Sequence, residues 1–240
     1  MRPFSLSRRL ILFGLAAGLP IFGGCEKVKL PLPEQLSEAE IVAGLKEALK
    51  VSTDTTVRLL NRLDGYYGDS LIRILLPPDG QNVWRAIAAL PGGQDLLNDL
   101  TVRMNRAAEE AADEAKPIFW QAIEGLTITQ GMQILKGDSV AATRYLREKT
   151  YDSLYVRYKP RIQEAMNQVG AQAAWEEIVN LYNSLPLVEP IQNRDLSAYV
   201  TERALYGLFL KVGQHETKIR RDVRYRVTDL LRKVFAEATG

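Results

Sequence analysis

Apolar residues recur at spacings of three and four along almost the whole chain after residue 36, as in Ile41, Leu45 and Leu49. No region shows the alternation of apolar and polar residues between hairpin turns that is typical of β-sheets. About 205 residues show the helical period, which suits one domain. The pattern therefore predicts an all-α fold, a single multi-helix, bundle-like domain over residues 37–240.

Capping boxes mark two of the expected helix starts. Ser37 is followed three residues later by Glu40, and Thr127 by Gln130. In each pair the first side chain can accept a backbone N–H of the first turn, and the second can reach back. Each helix is therefore expected to begin directly after its Ser or Thr.

Prolines mark the less regular parts of the chain. A helix capped by Asp138 is expected to stop or kink at Pro160. Residues 71–78 form a short apolar run closed by two prolines, which we interpret as extended rather than helical.

The first 24 residues have the character of an export signal. Arg2, Arg8 and Arg9 precede the uncharged, apolar stretch 10–24. At 1.5 Å per residue this stretch is shorter than the ~30 Å apolar core of a bilayer, so it is poorly suited to span one permanently. We predict a signal peptide over residues 1–24.

Gly23, Gly24 and Cys25 close this stretch and resemble the bacterial lipobox, in which the cysteine is lipid-modified and becomes the first residue. We therefore expect residues 25–36 to be a lipidated N-terminus and tether, with palmitate-type chains anchoring Cys25 in a membrane. The expected location is the periplasmic side of the bacterial envelope, and Glu26 favours the outer membrane over the inner one. The alternative is a plain signal peptide followed by a free cysteine.

Composition excludes several kinds of site. The chain has one cysteine and one histidine, so it can form no internal disulfide and no Cys/His zinc centre. Without Arg2, Arg8 and Arg9 the basic residues fall from 31 to 28 against 29 acidic ones. This nearly neutral balance gives no argument for nucleic-acid binding, and we expect neither a cofactor nor a nucleic-acid partner.

Several blocks resemble the bacterial envelope family catalogued as domain of unknown function 4197. They are Gly44-Leu-Lys-Glu-Ala-Leu49, Met104-Asn-Arg-Ala-Ala-Glu109, Ala115-Lys-Pro-Ile-Phe-Trp120, Ala141-Ala-Thr-Arg-Tyr-Leu146, Tyr199-Val-Thr-Glu-Arg-Ala-Leu205, Gly207-Leu-Phe209 and Thr228-Asp-Leu-Leu-Arg-Lys-Val-Phe235. The resemblance covers roughly residues 37–236. It implies a helical, exported, often lipid-anchored protein, and no activity, cofactor or site residues. It also implies an Asn-Pro-type break before the last helix, which residues 221–227 lack, leaving the last two helices free to run on as one.

The strongest functional signal in the domain is a basic segment, residues 218–233, with seven basic and two acidic side chains. On a membrane-tethered protein such a segment can contact anionic lipid head groups. The alternative is a solvated helix face. The candidate contact residues are Lys218, Arg220, Arg221, Arg224 and Arg226.

Other candidates have structural interpretations that we favour. His215 falls in an apolar stripe and is expected to be packed and hydrogen-bonded inside the bundle. The acidic run Glu109, Glu110, Asp113 and Glu114 is expected to be a solvated helix face, with Arg106 as an ion-pair partner.

Aromatic side chains also recur on helix faces. Tyr151, Tyr155 and Tyr158 lie one turn apart and are expected to be core or interface residues, although such a stripe can line a ligand groove. The three tryptophans, Trp84, Trp120 and Trp175, are expected to be core residues.

Three functions remain open. The first is a membrane-anchored, non-enzymatic binding or interaction module. The second is a carrier of a hydrophobic ligand between helices near Tyr151–Tyr158, which requires an apolar cavity of about 300 Å³ or more. The third, which we favour least, is a carboxylate-based envelope enzyme, which requires two acids of the run Glu109–Glu114 to face one cleft.

Overall fold

The computed structural model describes residues 36–77, 80–192, 194–226 and 228–237. Within these ranges the chain forms nine α-helices and no β-strand, which confirms the all-α fold. The helices are α1 (Glu38–Asn61), α2 (Gln81–Ala88), α3 (Gly93–Ala111), α4 (Ala115–Glu124), α5 (Ile128–Lys136), α6 (Ala141–Gln168), α7 (Ala171–Asn183), α8 (Ser197–Arg221) and α9 (Asp229–Glu237). The expected signal peptide, Cys25 and nearly all of the tether lie outside the described residues.

The apolar faces of these helices meet in one core around α6 and α8. The helix α1 packs against α4, α5, α8 and α9, whereas α3 packs against α6 and α7. Leu154 and Tyr158 of α6 and Leu205 and Leu208 of α8 have no solvent exposure. The stripes read from the sequence are therefore the core-facing sides of the helices.

Both capping boxes are confirmed. The Ser37 hydroxyl accepts the Glu40 N–H at 3.3 Å, and the Glu40 carboxylate accepts the Ser37 N–H at 2.8 Å. Thr127 and Gln130 make the same reciprocal pair at 3.3 and 3.1 Å.

Pro160 lies inside α6, which continues to Gln168, so the prediction of a stop there is wrong. A proline removes the N–H that would bond to the carbonyl four residues earlier. That carbonyl belongs to Val156, whose side chain is 71% exposed, so water can satisfy it. Burial of Ile162 and Met166 in the following turns outweighs the lost bond.

The last two helices are separate, which decides a question that the sequence left open. The helix α8 ends at Arg221, a 3-10 turn covers residues 223–225, and α9 begins at Asp229. The Asp222 carboxylate accepts the Arg224 N–H at 3.0 Å, and Arg226 donates to the carbonyl oxygen of Ile219 at 3.1 Å. The side chains of Asp222 and Arg226 therefore form hydrogen bonds with backbone groups that a continuing helix would have bonded internally.

The connection between α1 and α2 is irregular. Residues 70–72 form a turn and residues 73–77 have no regular secondary structure, so the expected extended run is not a strand. Its backbone is satisfied by the buried amide of Asn105, which accepts the Ile74 N–H at 2.9 Å and donates to the Ile74 carbonyl at 2.8 Å. The Asn105 side chain thus supplies the two backbone hydrogen bonds that Ile74 would otherwise make with a neighbouring strand.

Candidate functional site

An open groove lies between α6 and α8. The two helices are antiparallel, because Ala142 of α6 lies against Glu216 of α8 whereas Tyr151 further along α6 stacks on Phe209 earlier in α8. The groove has a volume of about 680 Å³. It meets the size requirement for a hydrophobic ligand, about 300 Å³ or more.

The base of the groove is aromatic. The Phe209 ring, 6% exposed, stacks on Tyr151 at 6.4 Å between centroids and meets Phe119 edge-on at 5.8 Å. Gly213 of α8 forms part of one wall of the groove. A Cβ at this position would lie 3.6 Å from Thr143, which is an ordinary van der Waals distance. The lining residues are Val140, Thr143, Arg144, Arg147, Tyr151, Glu202, Tyr206, Phe209, Leu210, Gly213, Gln214, Thr217 and Lys218.

Charged side chains form the rim. Arg144 pairs with Asp138, so its charge is offset. The Arg147 guanidinium lies 5.9 Å from the Tyr151 ring centroid. Glu202 lines the groove from the first half of α8 and Lys218 from its last turn. Burial, together with Glu202, raises the pKa of Tyr151, so this phenol stays neutral beside the groove.

One end of the groove is fixed by a buried ionic network. Glu216, 5% exposed, accepts the backbone N–H groups of Ala142 at 3.0 Å and Thr143 at 2.8 Å, and therefore caps α6 from another helix. Arg220 donates to Glu216 at 2.9 Å and to two carbonyl oxygens in the last turns of α5 at 2.8 and 3.1 Å. The network joins three helices.

The five basic residues singled out in the sequence have two kinds of environment, since two of them are engaged inside the fold and three are exposed. Arg220 belongs to the Glu216 network. Arg226 is 9% exposed and donates to the carbonyl oxygens of Ile219 and Arg220. Neither guanidinium is a free surface charge, because both satisfy groups inside the fold.

The other three, Lys218, Arg221 and Arg224, are exposed. Arg224 pairs with Asp222 at 2.6 Å. Contact of these exposed residues with an anionic surface stays a prediction. Because Arg220 and Arg226 are engaged inside the fold and Arg224 is paired with Asp222, fewer basic side chains of the segment are available at the surface than its composition alone suggests.

His215 is half-buried rather than enclosed. It lines a second cleft, of about 520 Å³, together with Lys211, Lys218 and Asp69. Partial burial and the two lysines lower the pKa of His215, so its neutral form is favoured. The expectation of an enclosed histidine in the core is corrected.

Glu109 is buried, so the interpretation of the whole acidic run as a solvated face is wrong. Its Oε1 atom accepts the backbone N–H groups of Tyr66 and Tyr67, each at 3.1 Å. Arg106 donates to its other oxygen at 2.6 Å. This carboxylate closes the turn after α1, and its exposed neighbour Glu110 has no such role.

The remaining acids of the run point elsewhere. Asp113 is exposed, and Glu114 pairs with Arg161 of α6 at 3.2 Å. Glu109 and Glu114 are therefore committed to different partners on different elements.

The aromatic residues have three different environments. Tyr158 is fully buried and donates its hydroxyl to the Ala112 carbonyl at 3.0 Å, whereas Tyr151 and Tyr155 are partly exposed. Trp175 is buried, as expected. Trp120 is 37% exposed and donates to Asp54 at 2.9 Å, so its assignment to the core is wrong. Trp84 is partly buried.

A search of the described side chains found no cluster of three His, Cys, Asp or Glu residues able to hold a metal ion. None of the described helices combines the length and apolar character needed to cross a bilayer.

These features define a helical domain with an open, aromatic-based groove. The sequence profile of the family described as "Protein of unknown function (DUF4197)" matches residues 26–236, and the chain belongs to that family. The resemblance read from the sequence blocks is thereby confirmed. Comparison with curated proteins gave no match, and comparison with solved structures gave none either.

Sequence reasoning did not single out Glu216, Gly213 or Phe209. Two signals were present. Glu216 and Arg220 have the i, i+4 spacing of a helical ion pair. Gly213 interrupts an apolar helical stripe, and a lone glycine in a helix often has a packing or functional reason.

Proposed function

We propose that this protein is a lipid-anchored, non-enzymatic binding protein of the bacterial envelope, and that the groove between α6 and α8 holds a hydrophobic ligand. The observation that carries the proposal is the groove itself, about 680 Å³ in volume with Phe209 and Tyr151 stacked along its base. Burying apolar ligand surface against these rings is worth roughly 25 cal/mol per Å² before association costs.

Anchoring through Cys25 would keep such a binding site beside a membrane. Cys25 lies eleven positions before Leu36, the first described residue. At ~3.3 Å per extended residue this tether reaches at most about 36 Å. Mass spectrometry of the mature protein tests the anchor: we expect an acylated Cys25 at the N-terminus. A mature chain that begins elsewhere without acyl groups refutes it.

Binding of a neutral environment-sensitive dye, N-phenyl-1-naphthylamine, to the non-acylated domain tests the groove. We expect saturable fluorescence enhancement that is lost in Gly213→Leu, whose added side chain lies against Thr143 in the groove wall. The matched control is Ala198→Leu, which introduces the same side chain in the first turn of α8 outside the groove. Circular dichroism must show that both variants fold. Unchanged binding in folded Gly213→Leu refutes the groove as the site.

A second candidate function is contact with anionic lipid head groups. Exposed Lys218 and Arg221 in the last turn of α8 and exposed Lys233 of α9 support it. Hydrogen bonds from Ser37 are the main cause of the lowered pKa of Glu40 in the first turn of α1, and the nearby charge of Lys233 adds to it.

Vesicle flotation of the non-acylated domain tests this contact. We expect binding to anionic vesicles at low salt, loss of binding as salt screens the charges, and weaker binding for Lys218→Gln/Arg221→Gln. The control is Lys149→Gln, an exposed lysine in the middle of α6. Failure to float with anionic vesicles at low salt refutes the contact.

A further inference from the structure

We propose that the groove between α6 and α8 selects an anionic acyl amphiphile, with the acyl chain along the aromatic base and the anionic head at the Lys218 end. The inference rests on the proposed binding function and specifies its ligand. It follows from three features of the groove: its length, the state of its cations, and the state of its neutral polar groups.

The groove is long and has opposite charges at its two ends. Glu202 and Lys218 both line it and are sixteen residues apart on α8. At 1.5 Å per residue they are separated by about 24 Å along the helix axis. Phe209 and Gly213 lie between them. An extended acyl chain matches this layout, and the carboxylate of Glu202 repels an anionic head from the wrong end.

Two rim cations are available to a ligand. Within the described ranges, neither Lys218 nor Arg147 has a carboxylate within ion-pair distance. Lys218 Nζ lies 5.5 Å from the Tyr225 ring centroid, and Arg147 lies over Tyr151. An aromatic ring positions a cation but leaves its N–H donors free for an anion.

The neutral polar groups at the same end are already engaged. The Thr143 hydroxyl donates to Glu216 at 2.8 Å, and the Thr217 hydroxyl donates to the Ser139 carbonyl at 3.2 Å. The Gln214 side-chain oxygen accepts from Lys211 at 3.1 Å. Sugar-like head groups need such side chains as hydrogen-bond partners. Apart from the side-chain nitrogen of Gln214, which is itself a donor, the uncommitted groups at this end are cationic, and they favour a negatively charged head.

Competition against N-phenyl-1-naphthylamine measures this selectivity. The competitors share one chain length and are used as monomers: dodecyl phosphate, dodecanoate, dodecyltrimethylammonium and a neutral dodecyl glycoside. Inorganic phosphate alone is a fifth competitor. We expect both anions to displace the dye at concentrations about tenfold below the cation and the glycoside, as befits a charge-assisted contact. Phosphate alone should not displace it, because it lacks the chain.

Charge-removing variants locate the head group. Lys218→Gln and Arg147→Gln should each weaken dodecyl phosphate binding about five- to tenfold and weaken binding of the neutral dodecyl glycoside much less. The matched control is Arg144→Gln, on the same rim but paired with Asp138, which should change binding less than either.

The outcomes separate the two proposals. If the dye does not bind, the proposed function fails. If the dye binds and all dodecyl compounds compete equally, the groove stands and the anionic selectivity is overturned. Displacement of the dye by phosphate alone also overturns it.

Discussion

The carboxylate of Glu216 on α8 lies 3.0 Å from the backbone nitrogen of Ala142 in the first turn of α6. The first N–H groups of a helix have no partner inside that helix. Just before α6 the Asp138 side chain accepts the Val140 N–H at 3.0 Å, and Glu216 accepts those of Ala142 and Thr143. Glu216 belongs to α8 and caps α6, so it fixes the two helices relative to each other at one end of the groove.

Replacing Glu216 is expected to destabilise the domain strongly. Glu216→Ala removes the counter-charge of the largely buried Arg220 guanidinium and the acceptor of two helix N–H groups, at a cost of about 3–5 kcal/mol in the free energy of unfolding. Glu216→Gln retains one acceptor and should cost less. Urea denaturation measures both. Exposed Glu177→Gln on α7 is the control, with no change expected. A Glu216→Ala variant as stable as the parent contradicts the capping role.

Adjacent acids of α3 should differ sharply. Glu109→Ala removes the acceptor of two backbone N–H groups and a partner of Arg106, so we expect a loss of about 2–4 kcal/mol. Glu110→Ala, one residue away and exposed, should stay within about 0.5 kcal/mol. Thermal and urea unfolding of the pair measure the difference, and equal stabilities contradict it.

Two glycines of α8 should respond to alanine with opposite signs. A Cβ at Gly207 would lie 2.7 Å from the Tyr66 ring and 3.1 Å from Ile72, so Gly207→Ala should cost about 1–3 kcal/mol. A Cβ at Gly213 meets ordinary contacts, and alanine is the better helix former, so Gly213→Ala should gain up to about 1 kcal/mol. Urea midpoints at constant m-value decide the signs. Destabilisation of equal size in both would contradict the geometry.

The pH dependence of His215 can be observed directly, because it is the one histidine of the chain. Burial, Lys218 and Lys211 lower the pKa of His215 from its ordinary value of 6.5. The folded state therefore binds this proton less tightly than the unfolded state. Stability from His215 is present above about pH 6.5 and is lost as pH falls below it.

Proton NMR titration of the ring should give a pKa below 6.5, and Lys218→Gln should raise that pKa part of the way back. In His215→Gln the decline of stability below about pH 6.5 should be smaller. A measured pKa at or above the ordinary value rules out this environment.

Pro160 is expected to lower the stability of α6. The proline is exposed, so Pro160→Ala restores a helix N–H without loss of a buried contact, and we expect a gain of about 1–3 kcal/mol. Gln163→Ala, also exposed on α6, is the control for helix propensity alone. Chemical denaturation compares them, and a destabilised Pro160→Ala would show that the ring has a packing role.

Local patterns predicted much of the fold. The starts of α1 and α5 were readable because Ser37 and Thr127 are satisfied within four residues of themselves. Pro160 was misread because the burial that carries α6 past it comes from turns packed on other helices. The sequence left open whether the chain breaks after Arg221, because Arg226 stabilises the break by folding back onto carbonyls of α8.

The groove was only partly foreseeable. The tyrosine stripe suggested a lining, and Tyr151 does line it. The ring that stacks on Tyr151 belongs to Phe209, more than fifty residues later, and no spacing within one helix indicates that contact. The roles of Glu109 and Glu110 were likewise indistinguishable in the sequence, because the partners of Glu109 lie in a turn that precedes it by over forty residues.

The contact between α1 and α9 has a consequence for the order in which the protein can assemble. Leu45 of α1 and Phe235 of α9 line the same small internal space. Since α9 is synthesised after the other eight described helices, the apolar side of α1 is left without its cover until nearly the whole domain exists. A truncated chain that lacks α9 should therefore retain most of its helices but expose an apolar surface along α1. We expect proteases to cleave this chain, and chaperones to bind it, more readily than the complete domain.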